Sequence, residues 1–156
     1  MAIQIAVDRG ARVIGTARES NHAWLQELGA EPVVYGPGLL ERVRAVAPNG
    51  IDAAIDGVGT TEALEVSREL VRGVDRIATI VASPAAFAAG VKVLGGAPGA
   101  DPGTEIRRQA RLELVDRVAA GTLQVVVARS YPLADVAAAH REVVSGHVRG
   151  KIALLT

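Results

Sequence analysis

The sequence predicts an α/β fold, a doubly wound parallel sheet with helices on both faces. Two observations carry this expectation. Short apolar runs of strand length alternate with amphipathic stretches of helical period along the whole chain. The strand-like runs, such as Ile51–Asp56 (IDAAID) and Ile77–Val81 (IATIV), are close to continuously apolar, as in strands covered on both sides.

The elements follow in order. Met1–Val7 reads as a helix with Ile3 and Val7 at helical spacing, and Val13–Thr16 as a short strand. Ser20 or Asn21 can cap a helix over His22–Leu28 that Gly29 ends. Pro32–Tyr35 is the next strand, followed by a helix near Leu39–Val46 that Pro48-Asn49-Gly50 closes. After the strand Ile51–Asp56, Thr60 or Thr61 starts a helix through Val71, with Glu62 placed to meet the positive end of the helix dipole. Ile77–Val81 and Val91–Leu94 are strands, and Gly95–Gly103 (GGAPGADPG) is a loop. The helix Thr104–Ala120 puts Ile106, Ala110, Leu114 and Val118 along one face. A strand Leu123–Ala128, a helix Leu133–Val144 and a strand Ile152–Leu155 complete the chain.

Composition removes several classes of function. The 156 residues are long enough for one domain with its own core, built from Ala, Val, Leu and Ile because aromatic residues make up only 3%. Lys+Arg and Asp+Glu are equal at 17 each, so there is no electrostatic argument for nucleic acid or an acidic membrane surface. With no cysteine, disulfides, thiolate metal sites and cysteine nucleophiles are excluded. No apolar run is long enough to span a bilayer and no signal-peptide pattern opens the chain, which makes a cytoplasmic location the default expectation.

In open parallel sheets ligands bind beyond the carboxyl ends of the strands. Those ends are Thr16-Ala17-Arg18, Tyr35-Gly36, Asp56-Gly57-Val58-Gly59 and Val81-Ala82-Ser83. The opening helix and strand look like the second and third elements of a nucleotide-binding βαβ unit, whose first strand and glycine-rich loop are not among these residues. The three histidines do not form a metal site: His22 opens a helix, His147 lies in a turn, and His140 is expected to pack on an apolar face with Leu133, Val136, Ala137 and Val144. Ser130-Tyr131 has no evident base beside it, and Asp52 and Asp56 are simply two positions of one strand.

The run AIQIAVDRGARVIGTARESNHAWLQELGAEPVVYG, then IDAAIDGVG, RIATIV and the ending YPLADVAAAHREVVSGHVRGKIALL, resemble the cofactor domain of the medium-chain dehydrogenase/reductases, in particular their zinc-independent quinone oxidoreductase branch. The resemblance covers essentially the whole chain. It implies a Rossmann-like doubly wound parallel sheet lacking the first strand and glycine-rich loop. It further implies a truncated dinucleotide-binding domain over residues 1–121 and, over 122–156, a segment that in the family packs on a GroES-like catalytic domain. The implied chemistry is hydride transfer from NADPH to quinones, enones or related carbonyls. NADP is expected over NAD, because Arg18 and Ser20 at the end of the second family strand, with Tyr35, match positions that contact the 2′-phosphate. Arg offers a planar, permanently charged fork for it. Thr16, Ala17, Asp56, Gly57 and Val58 match the walls of the cofactor cleft, and Val81 and Ala82 the segment beside the nicotinamide.

Each position also has a plainer reading. Arg18 can be a solvated surface charge and Tyr35 a half-buried ring. Asp56–Gly59 can be an ordinary strand-to-helix turn, and Lys151, which matches a family lysine, a solvated charge. No catalytic residue carries over, because the residues that polarise the substrate belong mostly to the catalytic domain. Loss of two charge-assisted phosphate bonds from the glycine-rich loop would cost roughly 3–6 kcal/mol, about two to four decades of affinity. The alternative function is therefore a truncated, non-catalytic binding or assembly module. Removing a central strand leaves a gap of about 10 Å between Val13–Thr16 and Ile51–Asp56. Direct pairing, a swapped segment or a partner chain is expected to close it. The expected partners are a second copy, through the edge strand 91–94 or a strand filling the central position, and a separate catalytic-domain chain.

Overall fold

The computed structural model describes residues 1–156, which divide into two compact units, Ala2–Ala110 and Arg111–Thr156, the latter with Met1. The first unit opens with helix α1 (Ala2–Asp8), strand β1 (Val13–Ala17), a 3-10 turn over Glu19–Asn21, helix α2 (His22–Glu27) and strand β2 (Ala30–Val34). It continues with α3 (Leu39–Val46), β3 (Ala54–Asp56), α4 (Thr61–Leu70), β4 (Ile77–Thr79), α5 (Pro84–Ala88) and β5 (Lys92–Val93). Helix α6 (Thr104–Ala119) spans the division. The second unit holds β6 (Val127–Pro132), α7 (Val136–Val144) and β7 (Lys151–Leu155).

Every strand pairing is parallel, as the α/β reading requires, but the strands form three sheets: β1 with β2, β3-β4-β5 in that order, and β6 with β7. β1 and β3 are not hydrogen-bonded to each other, so the direct pairing offered as one way to close the central gap does not occur. The two sheets of the first unit share helical cover instead. Val33, Leu39 and Val43 form a buried cluster against which Ile14 of β1, Val66 and Leu70 of α4, and Ile51 all pack. A second cluster of Val71, Ile77, Ala86, Val91 and Val93 closes the other sheet.

Several elements differ from the expectation. Ile51 makes only an isolated bridge to Val71, and β3 begins at Ala54. Pro84 at the first helical position and the Ser83 hydroxyl, accepting from the Ala86 N–H at 3.1 Å, build α5, which the apolar pattern did not reveal. The strand expected over Leu123–Ala128 starts at Val127 and runs to Pro132, which places Ser130 and Tyr131 in a strand. Neither Ser20 nor Asn21 caps α2 through its side chain; a 3-10 turn leads the chain into the helix. His140 is exposed, with Leu133 and Val144, because α7 turns Ala139 inward rather than the face that holds the histidine.

Candidate functional site

β1 and β2 end side by side, with Ala17 registered on Val34. This register brings the next residues together: the Arg18 Nε donates to the Tyr35 hydroxyl oxygen at 2.8 Å. Arg18 is exposed and Tyr35 is 44% exposed, so both present their polar ends to water. Thr16 is exposed beside them, Ala17 is half-buried, and Ser20 is exposed in the 3-10 turn. The loop that carries Tyr35 is fixed by Arg42, which the sequence does not mark, and by Glu62, which the sequence places only at the helix start. Arg42 of α3 donates to the carbonyls of Val34, Pro37 and Gly36 at 2.9, 2.8 and 2.8 Å. Glu62 of α4 accepts the Gly36 N–H at 2.9 Å. Five donors in a fixed fork let one arginine hold three carbonyls at once, and nothing in the spacing of Arg42 announces that.

The second half of the site is a knot at the ends of β3 and β4. Asp56 Oδ1 accepts the N–H of Val58 and of Gly59, both at 3.0 Å, while Oδ2 accepts the Thr79 hydroxyl at 2.9 Å. The Thr79 oxygen in turn accepts the Val81 N–H at 3.1 Å. Thr79, 3% exposed, is the polar residue that the apolar strand hides, and it ties Asp56 to Val81. Gly59 sits at φ +77°, where a Cβ would come within 2.5 Å of Val81, so this turn needs glycine both for its backbone and for the close approach. Thr60 then caps α4, its hydroxyl oxygen accepting the Ala63 N–H at 3.2 Å. Gly57 and Val58 are exposed at the tip of the turn, and Ala82 is exposed beyond Val81. Beside the knot lies an open cavity of about 300 Å³ whose walls include Asp56, Gly59, Leu64, Ile77, Thr79 and Val81.

The structure thus brings Arg18 to Tyr35, and Asp56, Gly59 and Val81 to one another. Within the second pair of strand ends, the carboxylate is fully engaged in holding its own turn. Lys151 opens β7 in the other unit, exposed as its plainer reading has it.

A family model described as zinc-binding dehydrogenase matches residues 28–154. The chain belongs to this family. Its structural neighbours are medium-chain dehydrogenase/reductase proteins, which bears out the resemblance read from the sequence. An NAD-dependent alcohol dehydrogenase superposes with a TM-score of 0.76 at 29% identity, covering 99% of this chain and 47% of its own. The quinone oxidoreductase from Coxiella burnetii gives 0.68 at 26% identity, covering 99% and 48%. A mycobacterial protein complexed with NADPH gives 0.73 at 23% identity, a likeness of fold alone, covering 99% and 52%. The chain therefore spans about half the length of these neighbours. Comparison with curated protein sequences finds no significant match. Despite the family's description, this zinc-binding-dehydrogenase chain holds no group of three or more His, Asp or Glu side chains able to bind a metal ion, and it contains no cysteine. Its residues do not fit zinc. No helix is long and apolar enough to cross a membrane.

Proposed function

We propose that this chain is the cofactor-binding half of an NADPH-dependent oxidoreductase of the quinone reductase type, acting on an electron-poor C=C or C=O. The observation that carries the reading is the Arg18–Tyr35 pair at the adjoining ends of β1 and β2. A dinucleotide domain that prefers NAD places an acidic side chain at this strand end to take the ribose hydroxyls. Here the position holds a guanidinium, which attracts a 2′-phosphate and offers it several parallel N–H donors. The Tyr35 oxygen accepts from Arg18, which leaves its own O–H proton available to a phosphate oxygen. Thr16, Ala17 and Ser20 would border the same subsite. The Asp56–Gly59 turn, with Val58 at its tip and Gly57 bare of side chain, would line the cleft, and Val81 and Ala82 would flank the nicotinamide. The bound nicotinamide would supply the hydride; the residues of this chain bind and orient it. Both an NAD-dependent enzyme and an NADPH complex occur among the neighbours, so the choice of cofactor rests on this chain's own residues.

Trp24, the only tryptophan, lies in α2 directly after the turn that carries Ser20, and its fluorescence reports on the site. NADPH titration should give saturable quenching, with NADH much weaker. The variant Arg18→Ala should lose about tenfold in NADPH affinity, a modest share of a charge-assisted contact at an exposed position, while NADH binding stays unchanged. No NADPH response up to about 1 mM, the weak limit of specific association, would overturn the proposal in favour of a non-catalytic module. Equal loss of both cofactors on Arg18→Ala would overturn the role given to Arg18.

A further inference from the structure

Tyr35 is followed by Gly36-Pro37-Gly38, and both glycines take left-handed backbone angles, φ +97° and +83°. Glycine restrains its own backbone least of all residues, so this loop keeps its shape through what grips it. Arg42 grips three carbonyls from α3, the helix that the loop itself leads into. The grip on the Gly36 N–H comes from elsewhere. Glu62 lies 26 residues further on, in α4, the helix that follows the first strand of the other sheet.

Glu62 therefore stands between the two halves of the candidate site. Their sheets, β1-β2 and β3-β4-β5, are not hydrogen-bonded to one another. Val66 and Leu70 of α4 pack against Leu39 and Val43 of α3, and two polar ties add to that packing. Arg44 Nη2 donates to Glu69 at 2.6 Å between the last turns of the two helices, away from the strand ends. The Glu62–Gly36 bond, at 2.9 Å and half-buried, ties the start of α4 to the residue after Tyr35. Thr60 caps this same helix start directly after the Asp56–Gly59 turn. One carboxylate thus joins the turn at the end of β3 to the loop at the end of β2. Its negative charge suits the second position of a helix but repels a phosphate, so any service to such a ligand is geometric.

We propose that Glu62 is a positioning residue that sets the preference of this chain for a 2′-phosphorylated cofactor. The proposal rests on the NADPH reading. By holding Gly36, Glu62 keeps the preceding Tyr35 hydroxyl on the Arg18 guanidinium. A preformed pair meets the phosphate without first having to order a glycine-rich loop, and a lost restraint is felt as lost affinity. NADH has no 2′-phosphate, so its binding does not draw on the pair.

The test titrates Trp24 fluorescence with NADPH and NADH in three variants of the full chain. Glu62→Ala should weaken NADPH by about fivefold, the scale of a supporting contact, and leave NADH unchanged. Glu62→Gln keeps an acceptor oxygen without the charge and should retain the NADPH preference. Arg44→Ala cuts the tie at the far end of the same helices and should retain it too. Without cofactor, the Gly36 amide should exchange at least about tenfold faster in Glu62→Ala and near the original rate in Glu62→Gln. Equal weakening of NADPH and NADH in Glu62→Ala would overturn the proposal, leaving Glu62 a role in helix stability alone. So would a preference lost as fully in Glu62→Gln, which would make the charge rather than the bond the agent, or an unchanged Gly36 exchange rate in Glu62→Ala. An unmodified chain that binds no NADPH overturns the cofactor reading and this proposal with it. An unmodified chain that prefers NADPH, with the preference intact in Glu62→Ala, overturns this proposal alone.

Discussion

One carboxylate and one hydroxyl hold the ends of β3 and β4 together. Asp56 takes three donors from Val58, Gly59 and Thr79, and the Thr79 oxygen also takes the Val81 N–H. Valine is close to threonine in shape but lacks the hydroxyl. Thr79→Val would therefore leave the half-buried Val81 N–H and one lone pair of Asp56 without this partner, beside a side chain only 3% exposed. An unsatisfied buried polar group costs about 1–3 kcal/mol, and that is the loss of stability expected for Thr79→Val by urea unfolding. A change within about 0.3 kcal/mol would mean that the hydroxyl does not hold the turn. At this scale the sequence was partly legible. Asp56 and Gly59 could be found from the DGVG turn, since turns need carboxylates and glycine for known reasons. Arg42 and Thr79 could not, because their roles depend on a strand or loop brought in from elsewhere in the chain.

The start of β1 is fastened to β2 and to the end of α3 by one arginine. Arg12 donates from Nε and Nη2 to the two Glu31 oxygens, both at 2.6 Å, and from Nη2 to the Val46 carbonyl at 2.7 Å. The hydrogen bond from Arg12 holds the Glu31 carboxyl below its usual range, against a smaller opposing effect of desolvation. A carboxyl depressed by folding stabilises the folded state above its unfolded pKa, and this contribution is lost as pH falls through the folded value. Stability of the first unit should therefore fall on acidification through and below the ordinary carboxylate range. Glu31→Gln should lower stability at neutral pH and remove that part of the slope; an unchanged pH profile of urea midpoints would rule the pairing out as a contributor. Element type was readable wherever capping and period agreed, as in the Thr60-capped α4 and the helix Leu39–Val46. It was not readable where sheet pairing decides. Strand-like runs at Ile51 and Leu123 stay outside the strands because a run becomes a strand only where a neighbour pairs with it. In α6 the apolar positions gave a face, yet Ile106 is 75% exposed and no residue of the helix is buried.

Across the whole molecule, burial is unevenly shared between the two compact units. Of the buried apolar residues, only Leu123 and Ala139 lie within Arg111–Thr156, whereas Ala2–Ala110 holds the two clusters built on Val33 and on Ile77. The second unit meanwhile exposes Val127, Leu133, Val143, Val144 and Leu155, with Val144 83% exposed. Its parallel pair β6–β7 has backbone bonds but little apolar burial of its own. A two-stranded parallel sheet is weak without it, since hydrogen bonds exchanged with water contribute only modestly and apolar burial supplies most of the stability. Local opening free energies follow buried contacts, so the second unit should open well below the global unfolding free energy. Native-state hydrogen exchange is expected to show the amides of Tyr131 and Leu154 exchanging through local opening at low denaturant, while the β4 amides exchange only with global unfolding. Equal protection of Tyr131 and Ile77 would show that the second unit draws stability from contacts beyond its own buried residues.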